Sequence, residues 1–274
     1  MKSGAKGTFW EHLDDLRSVI VRVVVGVLVF AVAAFFFKDF LFGLILAPSD
    51  GDFITYRILG DVAQFFSDTS SGEAVGDFSV KLISTQLMGQ FSAHIKMAFY
   101  TGFLIIFPYI LFELFRFVSP ALYRKERMYT ARILSSSYIM FMIGVAFSYF
   151  VVFPLTFRFL GTYQVSSVVE NQIVLDSYIG TLLMMNLIMG LVFEIPILSL
   201  LFAKLGLLSA AYMTKFRRHA IVILLVISMV ITPTADIVTL LMVATPMYLL
   251  YELSIVLVKV FVRRKAPKSL EVPR

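Results

Sequence analysis

Cysteine is absent from this 274-residue chain and charge is scarce: Asp, Glu, Lys and Arg together make up 15% of it, against 59% apolar residues. The first absence excludes disulfides and thiolate metal sites. The second places the chain far to the oily side of a soluble domain. Histidine is nearly missing as well. His12, His94 and His219 are far apart and lie in no metal-binding motif, so neither a metal nor another cofactor is expected. A nucleotide-binding glycine loop and an internal repeat are both lacking, and the missing repeat weighs against a transporter built from inverted halves. No cleavable signal peptide is expected, because the first apolar run follows a polar helix and has no small-residue cleavage site.

What is present is a series of apolar runs that reach or approach the roughly 20 residues needed to cross a hydrocarbon core about 30 Å thick. They lack the period-2 alternation of barrel strands, and a chain in lipid must satisfy its backbone internally, so an all-α membrane bundle is expected. The spans are predicted at about 19–37, 96–115, 133–153, 177–203, 219–232 and 237–258, within one integral membrane domain covering 1–274. Pro154 and a polar stretch are expected to close the third. The fifth is short: twelve to fifteen residues at 1.5 Å each cover roughly 18–23 Å. The sixth, with Pro246 inside it, is expected to be short too.

Six spans put both termini on one side, and the basic residues say which. Lys2, Lys6 and Arg17 precede the first span. Arg116, Arg124, Lys125, Arg127 and Arg132 lie between the second and third, and Lys204, Lys215, Arg217 and Arg218 between the fourth and fifth. The tail 259–274 adds Lys259, Arg263, Arg264, Lys265, Lys268 and Arg274, whereas the alternate segments hold only Lys38, Arg57, Lys81, Lys96 and Arg158. Lys and Arg near span ends are retained inside, so both termini are expected in the cytoplasm. The net charge of +6 is thus dispersed over segments that face anionic lipid and needs no nucleic acid. The longest connection, about Lys38 to Ile95, is acidic and falls outside. Its "FSVKLISTQLMGQFSAHIKMAFY" mixes polar and apolar residues as an interfacial helix does.

Three stretches carry candidate chemistry. Thr8 and Glu11 have capping-box spacing, so a helix is predicted to start there and run into the first span. On it Trp10, Leu13, Leu16 and Ile20 form an apolar stripe, and Glu11, Asp15, Ser18 and Arg22 a polar one. That pattern fits an interfacial helix anchored by Trp10, or an acidic face that holds something basic. In "SPALYRKER", Ser119 is a good N-cap and Pro120 suits a first helical turn. The basic residues there are explained by topology; Glu126 is explained by a weak surface ion pair or by a basic ligand. Glu194 lies deep in the fourth span, where an ionisable group is costly and a functional candidate by default; a hydrogen-bonding role to neighbouring helices is the alternative.

Five motifs, in this order, carry a resemblance: "HLDDLR" at His12–Arg17, "FVSPALYRKER" at Phe117–Arg127, "FSYFVVFPLTFRFL" at Phe147–Leu160, "FEIPI" at Phe193–Ile197 and "ITPTAD" at Ile231–Asp236. From about Phe9 to Val258 the chain resembles TatC, the six-span core of the twin-arginine protein translocase. The resemblance implies a concave bundle that binds the Arg-Arg signal peptides of folded cargo and assembles single-span TatA-like and TatB-like partners. Export would draw on the proton gradient, and no catalysis is implied. It places signal-peptide binding on Asp15, Arg17, Phe117 and Glu126, an intramembrane polar group at Glu194, partner docking at Met229 and Thr232, and outer-face residues at Pro48 and Asp236. Asp236 and Pro48 also read simply as an N-cap and a helix stop. The chain departs from the family at Asp15, usually Glu, and at Leu240, often Gln. Without the resemblance, a proton-coupled small-solute transporter titrating at Glu194 is the alternative. An intramembrane enzyme ranks last, because no nucleophile and base stand out at bilayer depth.

Overall fold

The computed structural model describes residues 9–66, 81–118, 130–163, 172–204, 206–232 and 236–263, and their fold is helical apart from one pair of two-residue strands. Helices α1 (Phe9–Phe35), α2 (Lys38–Leu46), α3 (Ile54–Phe66) and α4 (Gly89–Val118) occupy the first part of the chain. Then follow α5 (Thr130–Phe147), a five-residue π-helical turn (Ser148–Val152), α6 (Phe153–Thr162), α7 (Leu175–Phe193) and α8 (Ile195–Lys204). The chain ends on α9 (Ala210–Lys215), α10 (Arg217–Ile231) and α11 (Ile237–Arg263). Strands β1 (Leu82–Ile83) and β2 (Ile173–Val174) pair in parallel, Leu82 with Ile173 and Ile83 with Val174.

Among the described residues, five helical runs are long and apolar enough to cross a membrane: Leu16–Phe35, Gly89–Leu114, Leu134–Thr162, Leu175–Lys204 and Ile237–Phe261. The 15-residue α10 is not one of them. At 1.5 Å per residue it covers about 22 Å. Four expectations need correcting. The sixth span is not short: α11 has 27 residues and carries Pro246 within it. A proline inside a membrane helix is tolerated because neighbouring helices, Ser and Thr side chains and small local adjustments can satisfy the one backbone group it frees. No helix fills Lys81–Met88, where β1 and a turn precede α4 at Gly89. The fourth span is interrupted, because α7 ends at Phe193 and α8 starts at Ile195, with Glu194 between them ahead of Pro196.

The fourth correction is Pro154, which does not end the third span. Proline has no N–H to give to the carbonyl four residues back and its ring crowds that carbonyl. Here the helix widens just before it: the Phe153 N–H bonds to Ser148 O, five residues back, and the helix then continues to Thr162. Phe150 O, the acceptor that Pro154 cannot serve, takes a hydrogen bond from the Thr55 hydroxyl of α3. The Tyr56 hydroxyl, on the next residue of α3, shares its single proton between Pro48 O at 3.0 Å and Pro154 O at 3.1 Å.

The residues pack as two compact units. The first takes in residues 1–47, 81–138 and 172–183. Its frame is the pair α1 and α4, which lie antiparallel and close. A Cβ at Gly102 would sit 2.7 Å from Ala31 N and 2.8 Å from Val27 O, and one at Gly26 2.9 Å from Ile106 Cδ1. Small residues that let backbones approach are how spans associate in lipid, where burial of apolar surface drives nothing. One end of this unit is fastened by several ties. Lys96 Nζ bonds both oxygens of Asp176 at 2.7 and 2.9 Å, Tyr178 donates to Ile45 O at 2.9 Å, and His94 stacks on Phe35 with centroids 4.0 Å apart.

The second unit takes in residues 48–80, 139–171 and 184–274. There α5 and α7 meet through Gly144, against Met189 O and Phe193, and Gly190, against Phe141. Helix α11 gathers α8, α9 and α10 around it: Ala203, Met213, Ile255 and Val258 form a buried cluster, and Ser228 donates to Met247 Sδ at 3.3 Å. Arg217 reaches Glu252 at 2.7 Å, and Tyr248 donates to the other oxygen of Glu252 at 2.9 Å.

Candidate functional site

The described candidate residues of the first unit, Asp15, Arg17 and Phe117, lie toward one end of the α1–α4 pair. The two helices run antiparallel, so each step toward the N-terminus of α1 is matched by a step toward the C-terminus of α4. Counting back from Gly26 to Asp15, and forward by as many residues from its neighbour Ile106, arrives at Phe117. Asp15 and Phe117 therefore lie toward the same end of the pair. Their side chains lie outside the described residues, as do Trp10, Glu11, His12 and Leu13; Arg17 is exposed. Glu126 falls outside the described residues altogether, with the rest of 119–129, and Thr8 is likewise outside. The described part of helix α1 starts at Phe9.

One helical turn back from Phe117 on α4 lies a group that the sequence reading passed over. Glu113 of α4 is 2% exposed, and its carboxylate accepts from Tyr109 Oη at 2.7 Å and from Arg22 of α1 at 3.3 Å. Arg116 of α4 adds a second cation at 4.0 Å. A buried carboxylate is tolerated only when paired and hydrogen-bonded, and here both oxygens are engaged. The signal was in the sequence as Tyr109, Glu113 and Arg116 at i, i+4 and i+7, one face of a helix. The remaining partner, Arg22, is 91 positions from Glu113, a pairing that periodicity does not reveal.

In the second unit, Glu194 is 3% exposed and occupies the break between α7 and α8. Its amide bonds Leu191 O at 3.1 Å and its carbonyl accepts from the Leu198 N–H at 2.9 Å, so the chain turns without losing these bonds. Met229 is 53% exposed, in line with Val222 and Val226 on α10. Thr232, at the end of α10, is buried and donates to Ser228 O at 3.0 Å. Asp236 caps α11: its Oδ1 accepts from the Thr239 N–H at 2.8 Å and its Oδ2 from the Thr239 hydroxyl. Leu240 follows, half-buried. Pro48 is buried in a single 3₁₀ turn after α2, its carbonyl held by Tyr56. Burial pushes the Tyr56 phenol well above its usual range, with Arg158 over the ring at 5.9 Å pulling the other way. Among the described residues no group of His, Cys, Asp and Glu is placed to hold a metal.

Comparisons with known proteins agree on a single family. The family profile "Sec-independent protein translocase protein (TatC)" matches residues 11–246. The TatC protein of Blattabacterium sp. subsp. Periplaneta americana is 33% identical over 248 residues, which cover 90% of this chain and 93% of that one. That of Desulforapulum autotrophicum is 33% identical over 260 residues, covering 95% and 87%. A crystal structure of the twin-arginine translocase receptor TatC superposes with a TM-score of 0.74 at 31% identity, over 92% of this chain and 100% of that one. With five apolar runs long enough to cross a bilayer, the protein is a multi-pass membrane protein, and its relatives are translocase components rather than enzymes. This chain belongs to the TatC family of Sec-independent protein translocase proteins.

Proposed function

We propose that the protein is the receptor for twin-arginine signal peptides and the core of a translocase that exports folded proteins across the cytoplasmic (inner) membrane. The observation that supports this reading is the antiparallel pairing of α1 and α4, which brings the backbone at Asp15 toward the same end as Phe117, directly ahead in sequence of the segment that holds Glu126. Asp15 and Glu126 supply two carboxylates for two arginines, because a planar guanidinium pairs bidentately with a carboxylate and does so more strongly at an interface than in bulk water. Arg17, exposed two residues from Asp15, orders the acidic side. The distribution of Lys and Arg favours a cytoplasmic location for this end and for both termini, with α10 as a short fifth of six spans.

Partner assembly falls to the second unit. The exposed Val222, Val226 and Met229 stripe of α10 gives TatA-like and TatB-like spans an apolar face, with Thr232 at its end. Glu194 supplies a polar group at bilayer depth, where such a residue marks function by default. Pro48 and Asp236 shape the outer face, and the proton gradient provides the driving force. The reading is tested by Glu126→Lys in cells: export of cargo bearing an Arg-Arg signal stops while export of unfolded chains continues. Normal export of the Arg-Arg cargo would rule out the receptor role.

A further inference from the structure

We propose that Glu113 is a positioning residue for the signal-binding end: paired with Arg22, it locks the register of α1 against α4 and so holds the Asp15 end of α1 against the Phe117 end of α4. The proposal rests on the receptor reading above for its functional consequence, though not for its geometry. Outside the close approaches at Gly26 and Gly102, much of helix α1 is uncovered. Only 11% of its spanning window is buried, and Val21, Val24, Val25, Val29 and Val32 are all at least half exposed. Apolar contacts between spans in lipid are weakly directional, so a helix of this kind slides or rotates at small cost.

Glu113 supplies the direction. Its carboxylate is 2% exposed between the helices, with Arg22 of α1 on one oxygen and Tyr109 of its own helix on the other. A slip of one turn, about 5.4 Å, would take Arg22 out of reach and leave a charge buried without its interhelical partner. Fixing register is the best-attested use of a buried polar pair. The glycine contacts at Gly26 and Gly102 lie on the same pair of faces and tolerate one close approach, so they and the ion pair specify the same alignment. The pairing has a second effect. Glu113 lies one turn from Phe117, and Arg22 and Arg116 together neutralise it, so it does not compete with Asp15 and Glu126 for the arginines of a peptide.

The test uses the full-length chain in nanodiscs, in the unaltered form, as Arg22→Glu, as Glu113→Arg, and as the double exchange of the two. Each is measured for its affinity for a twin-arginine signal peptide and for the twin-lysine control. The chain has no cysteine, so Gly26→Cys with Ile106→Cys gives a disulfide whose yield reports the register without any peptide. The expected result is that each single reversal lowers the disulfide yield and reduces discrimination between the peptides by about tenfold or more. The double exchange restores both. Single reversals that leave disulfide yield and discrimination unchanged overturn the proposal, as does a double exchange that is helical and monodisperse yet stays impaired. If the unaltered chain does not prefer the twin-arginine peptide, the receptor reading fails instead, and the disulfide yields alone decide whether Glu113 sets the register.

Discussion

The close approach of α1 and α4 can be tested by adding one methyl group at either of two glycines. At Gly102 a Cβ would meet backbone on the opposite helix, Ala31 N at 2.7 Å and Val27 O at 2.8 Å, and backbone does not rotate away. The helices must separate, which loses contacts along their whole length and costs about 1–3 kcal/mol, as overpacking does. At Gly26 the new Cβ would meet Ile106 Cδ1 at 2.9 Å, the far end of a flexible side chain. Turning that side chain costs about 0.5–1 kcal/mol. In both variants alanine returns up to about 1 kcal/mol of helix propensity over glycine. The balance is a loss of about 1 kcal/mol, and at most about 2, for Gly102→Ala and close to zero for Gly26→Ala. Equilibrium unfolding of purified protein in mixed detergent, followed by helicity, measures both. Gly102→Ala as stable as the unaltered chain, or no less stable than Gly26→Ala, would refute the packing argument.

Two further outcomes follow from single side chains. Tyr56→Phe removes the shared hydrogen bond that ties α3 to Pro48 O and Pro154 O from a residue that is 1% exposed and leaves buried carbonyls short of a donor; a loss of about 1–2 kcal/mol is expected in the same unfolding measurement. Asp236→Ala removes the cap of α11 and is expected to cost about 0.5–2 kcal/mol, whereas Asp236→Asn retains a capping side chain and most of the stability. If Asp236→Asn is stable but stops export of twin-arginine cargo, Asp236 does more than cap.

The spans were legible because each is a long run with few charges, and the motifs near their ends identified the family from the residues alone. The errors lie where backbone geometry departs from a uniform helix. Pro154 reads as a terminator because a regular α-helix cannot accommodate it, and nothing nearby in sequence announces the π-helical turn or the Thr55 hydroxyl that takes up the vacated carbonyl. Pro246 invited the same inference for the sixth span and α11 runs through it. Glu194 was recognised as a buried carboxyl inside a span, but not as the residue at which that span divides. Glu113 was missed for a different reason. It sits among arginines at a span end, where charge is expected on topological grounds, and its burial depends on Arg22 from a distant helix. Local pattern shows that a charge is present; only the packed pair shows that it is covered.

The account's central claim is that Asp15 and Glu126 converge on neighbouring arginines of a signal peptide. Photocrosslinkers placed singly at positions 15 and 126 of the assembled membrane protein test it most directly, with a twin-arginine peptide and its twin-lysine control. The account predicts that both positions capture the twin-arginine peptide next to its paired arginines, with the twin-lysine peptide captured weakly or not at all. Equal capture of the two peptides, or capture from one position only, would contradict it.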